Sequence, residues 1–342
     1  MKKKIIVTGG MGFIGSHTVV ELVEAGFGVV IFDDLRNSDI GVLDKIEKIT
    51  GHKPDFEQVD LSDQVAAEAV VSKHADAVAC IHFAALKAVG ESVENPLLYY
   101  RNNLFSLINL LQAFRPNSDT AFIFSSSATV YGQPDKLPIN ESSPVVPANS
   151  PYGNTKQMAE EILQQSVEAG TIKSAISLRY FNPIGAHSSA LIGELPKGLP
   201  NNLMPFITQT AAGIRPNLKV FGKDYNTADG TAVRDYIHVV DVAQAHVVAL
   251  NRILDEKSKA AYEVFNLGTG MGFSVLDVIK SFEKTSGLKL KYHFAERRPG
   301  DVEQIYADTS LANEELGWKA QFNLDDMTSS AWNWEKNLRG IK

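Results

Sequence analysis

Thr8-Gly9-Gly10-Met11-Gly12-Phe13-Ile14-Gly15 is the stretch that decides the fold of this chain. It follows a short apolar run, Lys4-Ile5-Ile6-Val7, and precedes a segment, residues 18–25, with the apolar spacing of a helix. The order is strand, glycine turn, helix. Glycines at 9, 12 and 15 permit a tight turn, a close approach of backbone to a pyrophosphate and tight packing of helix on strand, while the helix N-terminus attracts phosphate charge. The next apolar run, Gly28-Val29-Val30-Ile31-Phe32, ends in Asp33-Asp34. A carboxylate there can hold the two hydroxyls of an adenosine ribose and repel a 2′-phosphate, which favours NAD over NADP.

Strand and helix go on alternating through the first half. Residues 42–49 read as helix, 56–59 as strand, 64–73 as helix, 77–83 as strand and 96–114 as helix. Strand 121–125, helix 152–169 and strand 175–180 follow. Such alternation predicts an α/β chain with a doubly wound parallel sheet, whose ligands bind outside the C-terminal strand ends. Asp33, Asp60, Phe83 and Ser125 to Ser127 all fall at such ends. The second half is less regular. Residues 195–205 and 222–233 read as Gly-, Pro- and Asn-rich loops, divided by a helix near 205–212 and a short strand at 218–221. We divide the chain into a dinucleotide-binding part, 1–181, and a mainly substrate-binding part, 182–342, with segments interleaved between them.

Tyr152 and Lys156 sit four apart in Ser150-Pro151-Tyr152-Gly153-Asn154-Thr155-Lys156. Ser150 can cap a helix and Pro151 suits its first position, so the two side chains should share one face. A phenol titrates near ~10, and pulling it to about 7 requires about 4 kcal/mol of preference for the anion. A cation ~4 Å away contributes up to about that much at an effective dielectric near 20. Tyr152 is therefore a candidate base. On spacing alone, a Tyr and a Lys four apart are more often plain neighbours on a helix surface.

Composition bounds the function classes. The chain has 342 residues, is 44% hydrophobic and 21% charged, and carries a net charge of −7, so it can bury a large core. Without a long basic run, an acidic chain offers no surface for nucleic acid or an anionic membrane. The lone cysteine, Cys80, lies in an apolar run read as a buried strand and cannot pair within the chain, which fits a reduced compartment. Lys2-Lys3-Lys4 is followed by too short an apolar stretch for a signal peptide, and no segment reaches membrane-spanning length; the expectation is a cytoplasmic protein. The eight histidines show no metal-type spacing, so no metal is expected, and His238 reads as structural.

The glycine turn together with Tyr152-Gly153-Asn154-Thr155-Lys156 resembles the extended short-chain dehydrogenase/reductase superfamily. The runs Phe83-Ala84-Ala85-Leu86-Lys87-Ala88-Val89-Gly90-Glu91-Ser92, Ser125-Ser126-Ser127-Ala128-Thr129-Val130-Tyr131-Gly132, Arg179-Tyr180-Phe181-Asn182-Pro183 and Arg234-Asp235-Tyr236-Ile237-His238-Val239 narrow the likeness to the UDP-glucose 4-epimerase family. It spans nearly the whole chain. The resemblance implies a Rossmann-like fold and NAD held tightly and regenerated at each turnover. It also implies interconversion of UDP-glucose and UDP-galactose: oxidation at C4, rotation of a 4-keto sugar about its diphosphate linkage, and reduction on the opposite face. UDP-N-acetylhexosamines are a further possible substrate pair. Helices 96–114 and 152–169 resemble the family's dimer-forming pair, which implies a homodimer.

By the same resemblance Ser127, Tyr152 and Lys156 are catalytic. From the strand alone Ser125 and Ser127 face the same way, and the likeness selects Ser127. Lys156 would both lower the Tyr152 pKa and donate to the nicotinamide ribose. NAD would be met by Gly9, Gly12, Phe13, Ile14, Gly15, Asp33, Asn37, Asp60, Leu61, Phe83, Lys87, Asn102 and Phe181, besides Tyr152 and Lys156. The UDP-sugar would be met by Ser127, Tyr152, Asn182, Asn202, Arg234, Arg298 and Asp301, with Lys219, Val220 and Phe221 facing the uracil. Several have a plainer reading. Arg234 could pair with Asp235 and Arg298 with Asp301, Asn182 and Asp60 could serve turns, and the serines could cap.

Ile305 stands where the family gates its sugar pocket, tyrosine excluding N-acetylated sugars and a small residue admitting them. Asp34, where asparagine is common, and Ala85, where glycine is common, also depart from the pattern. A sugar-nucleotide 4,6-dehydratase would carry an Asp-Glu pair after the threonine near the catalytic strand end, and Ser127-Ala128-Thr129 is not followed by one. A reductase would release its cofactor. A non-enzymatic NAD sensor would not need Ser127, Tyr152 and Lys156 together.

Overall fold

The computed structural model describes residues 2–114, 118–134, 136–298 and 302–342. Its centre is a parallel sheet built from β1 (Lys4–Thr8), β2 (Gly28–Asp33), β3 (Asp55–Gln58), β4 (Ala77–His82), β5 (Ser118–Ser127) and β6 (Ile172–Tyr180). A seventh strand, Tyr262–Leu267, comes from far along the chain and pairs with β6. The spatial order is Tyr262–Leu267, β6, β5, β4, β1, β2, β3. Chain direction across the sheet reverses between β1 and β4, so a crevice opens at their C-terminal ends, where doubly wound sheets bind ligands.

Strand alternation sends successive side chains to opposite faces, and both faces are covered. Ile5, Val7, Ile31, Ala79, Ile81, Ile123 and Leu178 pack against α1 (Phe13–Glu24). Ile6, Val30, Phe32, Cys80, Phe122 and Phe124 form the other face. It is covered by α3 (Gln64–Lys73), α5 (Pro96–Ala113) and α6 (Pro151–Glu168), with α2 (Val42–Thr50) and α4 (Val89–Glu94) completing the first half. From the second half, α8 (Val239–Leu254) packs on α1, so residues beyond 181 finish the first layer.

The remaining elements make a smaller unit around α7 (Leu203–Ala211), α9 (Val275–Ser286) and α10 (Leu324–Arg339). Met204, Ile207, Leu218, Val220, Phe282, Met327 and Trp332 form its core. Short strands pair Asn182–Ile184 with Tyr236–His238 and Leu218–Phe221 with Tyr292–Ala295, and Val233–Arg234 lies between Phe273–Ser274 and Gln304–Ile305.

Three elements begin three or more residues before their apolar patterns, β6 among them, at Ile172 rather than 175. Helix α1 starts at Phe13, directly on the glycine turn, and its first turn already carries Phe13 and Ile14, the latter packed on the core. Strand β5 starts at Ser118 and runs to Ser127, its polar end held by the ladder to β6, where Ser125 lies opposite Leu178 and Ser127 opposite Tyr180. Two expected loops are shortened. Helix α7 starts inside 195–205, and strand Val233–Arg234 takes the end of 222–233. Among the described residues no helix is long and apolar enough to cross a membrane.

Candidate active site

The glycine turn is closed by its own backbone. Gly9 has φ +66° and donates to Phe32 O at 2.7 Å, and Gly12 N donates to Gly9 O at 3.1 Å. A Cβ on Gly9 would sit 2.7 Å from Ala84 N, and one on Gly15 2.3 Å from Gly9 O. Helix α1 starts at Gly12 without a side-chain cap and with no acid in its first turn, leaving its leading N–H groups to an anion. This cradle fits the pyrophosphate of a dinucleotide.

At the end of β2, buried Asp33 accepts from Met11 N (3.0 Å), Leu35 N (2.9 Å) and Ser38 Oγ (2.6 Å). Burial raises its pKa, and these donors offset part of the rise. Next to it lies a cavity of about 430 Å³ lined by Asp34, Arg36, Gln58, Val59 and Asp60. Asp60 accepts from Ser62 N and Ser62 Oγ, the turn role weighed from the sequence, and also meets Arg36. Leu61 is buried, Asn37 is exposed and Asn102 faces Arg36 from α5. The sequence reading missed Arg36, whose signal was a lone base among Asp33, Asp34 and Asp39.

At the end of β5 the three serines separate by partner. Ser125 Oγ meets the Tyr180 hydroxyl, Ser126 Oγ donates to Glu160, and Ser127 stands near Tyr152, whose phenol it holds lower than burial alone would. Strand alternation turns Ser126 away, and Tyr180 occupies Ser125. Ser127 Oγ also accepts from Thr129 N, so the capping reading holds alongside its contact with Tyr152.

Ser150 Oγ accepts from Gly153 N at 3.1 Å and Pro151 occupies the first turn, as the sequence predicted. Tyr152 and Lys156 then share a face. The expected pairing of ammonium with phenol is not what the structure shows. Lys156 Nζ donates to Ser125 O at 2.6 Å and lies 4.7 Å from the Phe124 ring centroid, but 5.9 Å from that of Tyr152. Burial pushes the Tyr152 phenol up to about 12, Ser127 countering only part of it, and pushes Lys156 down to about 8 against the pull of Glu160. Desolvation outweighs the charge effect that the spacing suggested. Glu160, one turn beyond Lys156, was missed, although the i, i+4 spacing on α6 could have flagged it.

On the substrate side, Asn182 belongs to a strand, its N–H donating to Asp235 O at 3.0 Å, rather than to a simple turn. Asp235 is buried and accepts from Thr269 N, Thr269 Oγ1, Gly270 N and Ala307 N. Arg234 donates to Val233 O at 2.7 Å and sits opposite Ile305 in the short sheet. Ile305 packs with Phe181, Ala128 and Tyr131, joining this sheet to the end of β5. Arg298 stacks 4.1 Å from the Phe221 ring centroid, and Lys219, Val220 and Phe221 form a strand as expected. Asp301 lies outside the described residues.

Asn202 Nδ2 and Lys87 Nζ converge on Glu194 Oε1 at 2.6 and 3.3 Å. Glu194 was missed, and no spacing around it marks its role. Phe83 follows β4 and packs 4.6 Å from His246, while Phe13 stands edge-on to His17 at 5.4 Å. His238 caps α8 through Val240 N and stacks on Phe322, the structural part expected of it. Among the described residues no group of three or more His, Cys, Asp or Glu could hold a metal ion.

Residues 6–331 match the family model described as GDP-mannose 4,6 dehydratase. UDP-glucose 4-epimerase 1 of Oryza sativa subsp. japonica is 50% identical over 99% of this chain and 96% of its own. UDP-glucose 4-epimerase of Bacillus subtilis is 49% identical over 99% and 98%. Among solved structures, UDP-glucose 4-epimerase from Bifidobacterium longum in complex with NAD+ and UDP superposes with a TM-score of 0.94 at 45% identity, covering 99% of this chain and all of that one.

Proposed function

The chain belongs to the family described as GDP-mannose 4,6 dehydratase and, within it, to the UDP-glucose 4-epimerases, and on that premise we propose which of its side chains do the work. It interconverts UDP-glucose and UDP-galactose at C4 with NAD as cofactor. Bound NAD supplies the hydride acceptor and donor, and the positive charge of its oxidised ring favours the Tyr152 anion. Tyr152 takes the proton of the sugar 4-hydroxyl and later returns it. Ser127 holds the phenol and the same sugar oxygen. Lys156 adds positive charge behind Tyr152 and binds ribose.

Gly9, Gly12, Phe13, Ile14 and Gly15 cradle the pyrophosphate, and Asp33 holds the adenosine ribose. Asn37, Asp60, Leu61 and Asn102 complete the adenosine end, with Phe83, Lys87 and Phe181 at the nicotinamide end. Arg234 and Arg298 suit a diphosphate because a planar fork donates to two oxygens. Asn182, Asn202 and Asp301 complete that grip, with Lys219, Val220 and Phe221 at the uracil. The observation that carries the reading is the meeting of Ser127 and Tyr152 at the C-terminal end of β5, with Lys156 one turn behind Tyr152 and donating to Ser125 O. Elimination is disfavoured, since no Asp-Glu pair follows Ser127-Ala128-Thr129.

Pure protein incubated with UDP-galactose and no added cofactor should yield UDP-glucose. NADH accumulating in step with the sugar would mark a reductase instead. Tyr152→Phe should lower turnover by about 10²–10⁴ while NAD stays bound, and retained turnover would refute the assignment.

We extend the proposal to N-acetylated UDP-hexoses, because Ile305 is shorter than tyrosine. A second copy is the proposed partner. Val93, Leu97, Leu98, Phe105 and Met158 are exposed on α4, α5 and α6, and α5 packs against α6. Sedimentation velocity reads this directly, a monomer at micromolar concentration counting against it. The cytoplasm is the proposed compartment, in keeping with the free, buried Cys80 thiol.

A further inference from the structure

The loop after β2 is held in an unusual shape. Leu35 adopts φ +61°, a left-handed conformation that a non-glycine residue keeps only where its surroundings impose it. Those surroundings are visible. Asp33 Oδ1 accepts from Leu35 N at 2.9 Å and Asp34 Oδ1 from Arg36 N at 2.8 Å. From the other half of the chain, Lys197 Nζ donates to Leu35 O at 2.9 Å and Arg36 O at 3.2 Å. The base of the Arg36 side chain is thus fixed from both sides.

Its guanidinium reaches three acceptors on three segments. Nη2 lies 3.3 Å from Asp34 Oδ2 in its own loop and 3.1 Å from Asp60 Oδ2 beyond β3, and Nη1 donates to Asn102 Oδ1 on α5 at 3.0 Å. At 44% exposure a lone ion pair contributes little to stability, so stability alone gives weak reason for this arrangement. Location gives a better one. Arg36 lines the cavity beside Asp33, and it joins Asp60 to Asn102, two of the side chains assigned above to the adenosine end. A planar guanidinium can lie flat on an aromatic base while its edge keeps its hydrogen bonds.

We propose that Arg36 is a cofactor-retention residue, a strap between Asp60 and Asn102 that closes over the adenosine half of NAD and slows its release. The inference rests on the NAD site proposed above. It is tested on the whole protein loaded with radiolabelled NAD and chased with excess unlabelled NAD. Arg36→Ala should release label at least tenfold faster than the wild type. Arg36→Lys keeps the charge but cannot bridge with two arms, and should release within threefold of Arg36→Ala. Equal release from Arg36→Ala and wild type would overturn the strap, as would slower release, which would make Arg36 a plug, or wild-type release from Arg36→Lys. A wild type that binds no NAD would instead refute the cofactor site on which the inference rests.

Discussion

At Gly15 one added carbon decides whether the phosphate-binding turn can close. Its Cβ would sit 2.3 Å from Gly9 O and 2.9 Å from Gly10 Cα, both backbone atoms that cannot rotate aside. Gly15→Ala should therefore cost roughly 1–3 kcal/mol of stability and strip the protein of NAD, read from the denaturation midpoint and the cofactor content after purification. Ile305 poses the opposite question, since it is already buried against Phe181, Ala128 and Tyr131. Ile305→Tyr puts a larger ring where only a branched aliphatic chain fits, and the sugar pocket is the space left to take it. The rate on UDP-N-acetylglucosamine should fall at least tenfold relative to that on UDP-glucose, and an unchanged ratio would remove Ile305 from the gate. Residue identities at this scale were legible because glycine turns, caps and the Tyr-Lys spacing are local chemistry. The protonation balance of Tyr152 and Lys156 was not, because it depends on burial that no spacing reveals.

Helix α6 carries Tyr152, Lys156 and Glu160 on successive turns, and the third is its anchor. Buried Glu160 meets Ser126 and the Arg179 guanidinium, and Arg179 Nη1 donates to the Tyr131 hydroxyl at 2.9 Å. That hydroxyl donates on to Asn266 Oδ1 at 2.7 Å, linking α6, β5, β6 and the strand Tyr262–Leu267. Removing one partner of a buried ion pair leaves the other charge unsolvated, so Glu160→Ala should cost about 3–5 kcal/mol in chemical denaturation. Replacing both, with Glu160→Leu and Arg179→Met together, should recover most of that loss, and a double variant no better than the single would show that shape rather than charge is at stake. Elements with long, regular periodicity were legible, and helix 64–73 matches α3 end to end. The strand Tyr262–Leu267 and helices α8, α9 and α10 were not read from the sequence. The strand's place beside β6 is set by a partner more than eighty residues away, which local pattern does not encode.

Across the whole molecule, buried imidazoles set how the fold meets acid. Burial holds His17 and His82 down at about 3, and His238 and His246 at about 4. In the unfolded chain each titrates near ~6.5, so below that pH the unfolded state binds protons that the fold refuses. The stability these groups contribute is therefore fully present above about pH 6.5 and is lost as pH falls, down to about 4 for His238 and His246 and to about 3 for His17 and His82. Glu21 works the other way. Burial raises it to about 7, so the fold keeps a proton that the unfolded chain releases above ~4.5, and its contribution is lost as pH rises between those values. Burial raises Asp33, Glu141, Asp235 and Asp241 in the same direction as Glu21 and lowers His187 with the other imidazoles, and each buried imidazole adds up to about 1.4 kcal/mol per pH unit to the acid dependence between pH 5 and 6.5. His246 isolates one of them. Its Nδ1 bonds Val242 O at 2.8 Å, its Nε2 is buried without a partner, and its ring packs on Phe83, so phenylalanine keeps the shape and removes the titration. His246→Phe should flatten the dependence of unfolding free energy on pH between 5 and 6.5 by about one proton, measured by urea denaturation at three pH values. A slope equal to the wild type would mean that His246 is protonated alike in both states and that the acid sensitivity lies elsewhere in the fold.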